Sequence, residues 1–399
     1  MLWLNFLHFY QPANLESYDI KKALDKSYWR LIRLLEENPK LKFTLNISGC
    51  LLERLEIEKE TNFHLRVKEL IRKGKIELTG SAAYHGFLPL LPESEVIKQI
   101  KTNEKFLRKY FGSKFKPSGF FLPEMAYSES VAKIIKKLGY SWIILDEIAY
   151  SGGGKKRPDF NKIYLDGASG LKVIFRNREL SGAYPPDQLL PMFVKLTKVK
   201  DTKKLPADIC ITATDAELYG LRHEDPTAEL EKIAKLPELK TQTISSFIEK
   251  IGKNKVEKIK IFASSWESSA QEIKNNEPYK LWYNPKNKIQ VCLWKLANLA
   301  LVLDTKYKKD KNYYWYRWHL VRGIASCSFW WASAHDFSKI FGPYAWSPDG
   351  IERGLEDLIR AVRSLFDRKT KKDKLQAEKY YLKIKKLIWE EHWKKHWKQ

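Results

Sequence analysis

The sequence predicts an α/β protein: a parallel barrel, closed or nearly so, followed by a C-terminal helical region. Short apolar runs at 2–9, 41–47, 76–80, 119–122, 142–145, 171–175, 209–214 and 259–264 are spaced along the first two thirds of the chain. Amphipathic segments such as 20–35, 67–72, 93–110 and 130–138 lie between them. This alternation is what strands joined by crossover helices produce, and this many units points to a barrel rather than a small open sheet. From about residue 284 the strand signal stops, and helical patterns over 289–303, 313–333, 351–366 and 374–398 take its place. The expected division is therefore a barrel over 1–283 and helices over 284–399 packed upon it.

Each element implies chemistry at its end. In such barrels the active site forms at the carboxyl ends of the strands, so polar residues that directly follow apolar runs are the candidates. The first run leads into His8-Phe9-Tyr10-Gln11-Pro12, and the third contains Glu77 and leads to Tyr84-His85. The fourth ends in Phe121-Leu122-Pro123-Glu124, and the seventh in Thr214-Asp215-Ala216-Glu217. Glu124 and Asp215 stand out, because glycosyl transfer with retention needs two carboxyl groups flanking one anomeric carbon. One attacks as a carboxylate while the other donates and later removes a proton, a role helped by a low-polarity wall. The plainer alternative is that both are structural acids, pairing with arginine or capping a helix; Glu124 precedes a helical segment that begins near Ser128.

Composition narrows the classes without selecting one. Lys and Arg number 72 against 48 Asp and Glu, for a net charge of +24. Lysine is dispersed rather than clustered, which reads as a solvated surface, so neither a nucleic-acid nor a membrane partner is expected. Cys50, Cys210, Cys292 and Cys327 are far apart and form no CxxC pair, so reduced core thiols are expected instead of a disulfide framework or zinc site. The apolar N-terminus lacks a basic region and a cleavage site and reads as a first strand, and no run approaches membrane-spanning length. A cytoplasmic protein without metal or other cofactor is expected; oligomeric state is not legible.

Four short strings resemble those of glycoside hydrolase family 57, whose members share five motifs on a (β/α)7 barrel. They are His8-Phe9-Tyr10-Gln11-Pro12, Gly74-Lys75-Ile76-Glu77 with Tyr84-His85, Phe121-Leu122-Pro123-Glu124, and Asp215-Ala216-Glu217-Leu218-Tyr219-Gly220, in the family's order. A fifth, looser match falls between Ser265-Trp266-Glu267 and Trp282. The resemblance implies an incomplete, TIM-like (β/α)7 barrel and a retaining, α-amylase-like hydrolase of α-linked glycans, with Glu124 as nucleophile and Asp215 as general acid/base. It equally admits an α-glucanotransferase or branching enzyme, with an α-glucan or related polysaccharide as substrate. His8, Gln11, Glu77, Tyr84, His85, Arg176, Glu217, Trp266, Trp282 and Trp330 are the expected substrate-binding residues. Tyr10 stands where many members have a second histidine, Phe121 where tryptophan is common, and Asn177 where some relatives carry an acid.

Other signals are weaker. Gly152-Gly153-Gly154-Lys155-Lys156 lacks the ending of a phosphate loop and reads as a surface loop over the site. His392 and His396 have the spacing of two ligands on one helical face but no evident third. Trp389, Trp393 and Trp397 recur every four residues and read as a stripe packed on the helical region. The rivals from other classes are a metal-dependent polysaccharide deacetylase and a non-catalytic glycan-binding protein.

Overall fold

The computed structural model describes residues 1–154, 156–198, 209–251, 256–334, 337–338, 342–343 and 345–397. Lys155, in the glycine-rich loop, and Lys398, at the end of the terminal helix, lie outside them, as does the side chain of His396. Among the described residues, seven parallel strands form the barrel wall: β1 (Leu2–Phe9), β2 (Phe43–Ile47), β3 (Ile76–Leu78), β4 (Gly119–Phe120), β5 (Trp142–Asp146), β7 (Lys172–Arg176) and β8 (Ile209–Asp215). The wall comprises two sheets. One runs β3-β2-β1-β8; the other contains β4, β5 and β7. Their seams are thin: a parallel bridge from Gly80 to Phe120 on one side, and on the other a hydrogen bond from Asn177 N–H to the Ile211 carbonyl at 2.8 Å. This is an incomplete barrel.

Three further strands depart from the expected pattern. β6 (Ile163–Asp166) pairs antiparallel with β7, and β10 (Val256–Ile259) pairs with β6 at the sheet edge, while β9 (Lys240–Thr241) flanks the start of β1. The run at 259–264 is therefore strand only up to Ile259; the remainder is a loop whose Ser264 bridges Tyr127.

Alternation along the strands separates the two faces of the wall. In β1, Trp3, Leu7 and Phe9 pack outward with the helices, while Leu4 and Phe6 point inward to meet Phe121, Ile144, Ile174, Ile211 and Ala213. The helices bury matching stripes: Glu93–Phe111 buries Val96, Ile100, Leu107 and Phe111, spaced for one helical face. Continued upward, the inward columns end in polar residues. Leu4 and Phe6 lead to His8, Ile211 and Ala213 to Asp215, Ile144 to Asp146, and Ile174 to Arg176.

The region after residue 284 is helical, with long helices Lys288–Lys306, Pro348–Ser364 and Lys371–Glu391. It shares one apolar cluster with the barrel, in which Phe120, Leu145 and Phe175 join Leu293, Leu320 and Leu358. Charged clamps add to this: Arg317 reaches Glu95 at 2.7 Å, Arg322 reaches Glu53 at 2.6 Å, and Lys98 pairs with Asp304. The pattern over 313–333 proves to be two helices, Tyr313–Gly323 and Ser326–Trp331, rather than one. Between them Ala325 is extended (φ −58°, ψ 141°) and bridges Gly86, so that Ser326 N–H donates to the His85 carbonyl at 2.9 Å. The tryptophan stripe also differs from expectation. Trp389 donates to Glu352 at 2.7 Å, but Trp393 and Trp397 are exposed. None of the described helices is long and apolar enough to cross a membrane.

Candidate active site

At the carboxyl ends of the strands lies a cavity of about 440 Å³. Glu124, Asp215, His8, Gln11, His85, Glu217, Trp266 and Trp330, eight of the expected site residues, line it. His8 and Asp215 are register partners on β1 and β8, so their side chains leave the wall at one level and on one face. His8 is equally level with Asn46 of β2.

Glu124 follows β4 in a tight turn, Pro123–Met125, with left-handed backbone at both Glu124 (φ 60°, ψ 15°) and Met125 (φ 47°). Two consecutive non-glycine residues in that region store strain, which persists only where the surroundings over-determine it. Here they do. Oε1 accepts from the Ser326 hydroxyl at 2.7 Å, Oε2 accepts from Trp266 Nε1–H at 3.0 Å, and the Glu124 carbonyl accepts from Trp266 N–H at 3.0 Å. His85 Nδ1 lies 3.7 Å from Oε1. Burial pushes the Glu124 carboxyl up to about 8; Asp215 and Glu267 push the same way, while the bonds from Ser326 and Trp266 oppose it.

Asp215 is more open, its side chain one third exposed, with Arg222 Nη1 at 3.5 Å. The same arginine binds Glu217 at 2.5 Å, and Glu217 accepts from Gln11 Nε2–H. Burial, then the Asp215 charge, raise the Glu217 carboxyl, against Arg222. Gln11 Nε2 also lies 3.2 Å from the Tyr28 hydroxyl, which itself donates to the Tyr10 carbonyl. Tyr28 ends a π-helical turn, Leu24–Tyr28, that lies close to the Asp215 loop, with Ser27 donating to the Ala216 carbonyl at 2.5 Å. That approach explains Gly220: its φ is +122°, and a Cβ would lie 2.3 Å from the Lys26 carbonyl oxygen.

The aromatic wall forms around the histidines. His8 stacks on His85 at 4.9 Å and lies 4.5 Å from Phe121, while Tyr10 covers His85 at 4.0 Å. Tyr10, in the expected histidine position, is thus a stacking ring whose hydroxyl accepts from Cys327 Sγ at 3.3 Å. Trp330 and Trp331 close the far side.

Four expected site residues lie elsewhere. Glu77 is one pleat below the His8 level, paired in register with Thr44, where it accepts from the backbone N–H of Ser245 at 3.0 Å and from its hydroxyl. It holds the N-terminal end of helix Ile244–Ile251 against the barrel floor, which suits a carboxylate. Tyr84 donates to Glu53 and lies under Arg322, outside the cavity. Arg176 is buried, binding Asp146 at 2.7 Å and the Ala213 carbonyl at 2.7 Å, with its guanidinium 5.2 Å from the Trp266 ring. Trp282 is fully buried and stacks on Phe87 at 4.6 Å. The described residues of the glycine-rich loop are absent from the cavity lining; Gly152 (φ 61°) ends the short helix Ile148–Ser151.

Two participants, Arg222 and Ser326, have no place in the sequence reading: Arg222 lines the cavity and Ser326 binds Glu124. Tyr10, Glu267 and Cys327, expected as a motif departure, part of a loose motif and a core thiol, also line the cavity. Arg222 follows the Asp215 string by two residues, a signal that was available; Ser326 had none, because it depends on a helix break. Among the described residues, no group of three or more His, Cys, Asp or Glu side chains is placed to hold a metal ion.

Fold and site together define an incomplete (β/α)7 barrel that presents two carboxyl groups, from different strand ends, to one aromatic-walled cavity. The chain belongs to glycosyl hydrolase family 57, whose model matches residues 4–265. It is 27% identical over 202 residues to an α-amylase of Pyrococcus horikoshii, covering 50% of this chain and 30% of that protein. It is 23% identical over 229 residues to a 4-α-glucanotransferase of Thermococcus litoralis, covering 55% and 33%. The matched segment thus spans about a third of the length of these relatives. Among solved structures, a GH57 branching enzyme from Thermococcus kodakaraensis shares the fold, with a TM-score of 0.71 at 15% identity, covering 96% of this chain and 95% of that one.

Proposed function

We propose that this protein acts on α-linked glucans with retention, using Glu124 as nucleophile and Asp215 as general acid/base. The observation that carries the reading is that both carboxyl groups open on one cavity while differing in how firmly they are held. A nucleophile must be aimed, and Glu124 is fixed at both oxygens by Ser326 and Trp266. A group that gives a proton to a leaving oxygen and then takes one from water needs access, and Asp215 is the more open. In this scheme Asp215 protonates the departing glycosidic oxygen as Glu124 Oε2 or Oε1 bonds to the anomeric carbon, giving a covalent glycosyl-enzyme. An acceptor hydroxyl, deprotonated by Asp215, then displaces Glu124. Trp266 and Trp330 offer faces for sugar rings, and Arg222 holds the Glu217 carboxylate beside Asp215.

Water as acceptor gives hydrolysis, and a sugar hydroxyl gives transfer. The relatives named α-amylase and 4-α-glucanotransferase support both outcomes.

The test is product analysis with a panel of α-glucans for the wild type, Glu124→Gln and Asp215→Asn. The expected result is wild-type turnover, a loss of about 10²–10⁴-fold in Asp215→Asn, and a deeper loss in Glu124→Gln. Full activity in either variant overturns the assigned roles. Shortened glucans as sole products mark a hydrolase; rearranged chains of unchanged total reducing ends mark a transferase.

A further inference from the structure

Glu124 is the first link of a hydrogen-bonded chain that crosses the barrel mouth. Its Oε1 lies 2.7 Å from Ser326 Oγ, which lies 2.9 Å from His85 Nδ1. His85 Nε2 is 3.0 Å from His8 Nε2, and His8 Nδ1 is 2.8 Å from Asn46 Oδ1. Asn46 Nδ2 in turn reaches the Thr79 hydroxyl at 3.3 Å. The chain is buried throughout, and Ser326 is tied to His85 by backbone as well as side chain. His85, like Glu124, has left-handed backbone (φ 55°).

Each link carries few protons, so their order is constrained. Burial holds both imidazoles neutral, lowering His8 to about 4 and His85 well below the ordinary range. A neutral imidazole has one N–H and one lone pair, and a hydroxyl has one hydrogen. With Glu124 protonated, all bonds run one way: Glu124 donates to Ser326, Ser326 to His85 Nδ1, His85 Nε2–H to His8, and His8 Nδ1–H to Asn46 Oδ1. With Glu124 ionised, its oxygen needs the Ser326 hydrogen. If that hydroxyl turned alone, its oxygen would face the bare Nδ1 of His85 across 2.9 Å in a dry site, forfeiting one bond and stranding an acceptor. Reversal of the whole chain keeps every bond.

We propose that ionisation of Glu124 reverses this chain, making Ser326, His85 and His8 a tautomeric relay that couples the nucleophile's charge to the opposite side of the barrel. The Glu124 hydrogen passes to Ser326 Oγ, the Ser326 hydrogen to His85 Nδ1 and the His85 Nε2 hydrogen to His8 Nε2, and the His8 Nδ1 hydrogen is the single proton released to water. His85 then carries its hydrogen on Nδ1 and His8 on Nε2, each still neutral, and the Asn46 amide turns over to donate to His8 Nδ1 while accepting from Thr79. The charged and titratable groups facing the relay act on its two ends. Asp215, Glu267, Cys327 and Tyr10 surround Glu124, and Asp215 with Arg222 faces His8. Ser326, His85 and His8 are positioning residues, and their catalytic meaning rests on Glu124 being the nucleophile.

The test is nitrogen-15 spectroscopy of histidine-labelled protein between about pH 6 and 10, with the Glu124 carboxyl followed by carbon-13, a window that spans a raised carboxyl. In the wild type, His85 and His8 should exchange tautomers without gaining charge, at the Glu124 midpoint. In Glu124→Gln no tautomer change should occur at that pH. Ser326→Ala should leave His85 insensitive to Glu124 and raise the Glu124 midpoint by about 1–2 units, the loss of one hydrogen bond to a charge; Ser326→Thr should restore the coupling. Histidines that keep one tautomer through the Glu124 titration, or that respond equally in Ser326→Ala, overturn the relay. Should Ser326→Ala fail to fold, the wild type and Glu124→Gln still decide. The spectra read protons and not turnover, so the relay stands or falls separately from the catalytic roles.

Discussion

Trp266 Nε1–H points at Glu124 Oε2 across 3.0 Å, although 142 residues separate them, and its backbone N–H holds the Glu124 carbonyl as well. The indole therefore does more than wall the cavity: it favours the ionised carboxyl against the burial that raises it. Trp266→Phe keeps a ring and removes the donor. A hydrogen bond to a charged group contributes about 1.5–3 kcal/mol, or about 1–2 pH units. The ascending limb of kcat/KM against pH, which reports the free enzyme, should move alkaline by that amount. An unmoved limb with unchanged rate would detach Trp266 from the ionisation.

The raised carboxyl also has a signature in stability. Glu124 titrates near 4.5 when unfolded and at about 8 when folded, so its neutral form is favoured by folding. The contribution is fully present below pH 4.5 and is lost as pH rises toward and through about 8. Glu124→Gln cannot ionise and escapes that loss. Thermal unfolding should find the variant near the wild type at about pH 4 and more stable by a few kcal/mol at about pH 9. A variant less stable than the wild type at alkaline pH would show that the carboxylate is better paired than its burial suggests.

What was legible follows from how local the cause is. His8 and Asp215 each end an inward column of apolar residues, and alternation within one strand reveals that without tertiary knowledge; Glu124 does not, because Phe120 and Leu122 before it pack outward and the left-handed turn Pro123–Met125 brings it into the cavity. Glu77 misled because it interrupts its strand; whether a mid-strand acid serves the cavity or the floor depends on the partner, here Ser245, 168 positions away. Arg176 and Trp282 were misplaced for a related reason, since a polar strand end and an aromatic motif residue can each be consumed by buried neighbours, Asp146 and Phe87. Strand β6 escaped notice because its pairing with β7 is antiparallel and short, outside the repeating unit. Ser326 was hidden most deeply. The helical pattern over 313–333 is continuous, and the break at Ala325 is imposed by bonding to the His85–Gly86 segment rather than by proline.

Two tryptophans once equal as stacking candidates should now behave differently. Trp282 is fully buried against Phe87, whereas Trp330 lines the cavity with partial exposure. Trp282→Ala should cost about 3–5 kcal/mol of stability, seen in denaturant unfolding. Trp330→Ala should stay within about 1 kcal/mol of the wild type, because truncation at a partly open site leaves no sealed cavity. The same change should raise KM for glucan by removing a stacking face. The reverse pattern would move Trp330 into the core and leave the sugar face to Trp266 and Trp331.

The division of labour between the two carboxyl groups can be tested by replacing each with alanine and supplying azide. Glu124 is fixed by Ser326 and Trp266, while Asp215 lies open beside Arg222. If Glu124 is the nucleophile, the space left in Glu124→Ala admits azide to the face it vacates. The anion then attacks an activated α-glucoside directly, giving the β-glucosyl azide by a single inversion. In Asp215→Ala the glycosyl-enzyme still forms from a substrate whose leaving group needs no proton. Azide then opens that intermediate, and two inversions return the α-glucosyl azide. The anomer recovered from each variant, read by proton NMR, assigns the roles independently of rate. Interchanged products would make Asp215 the nucleophile and Glu124, raised by burial to about 8, the proton donor.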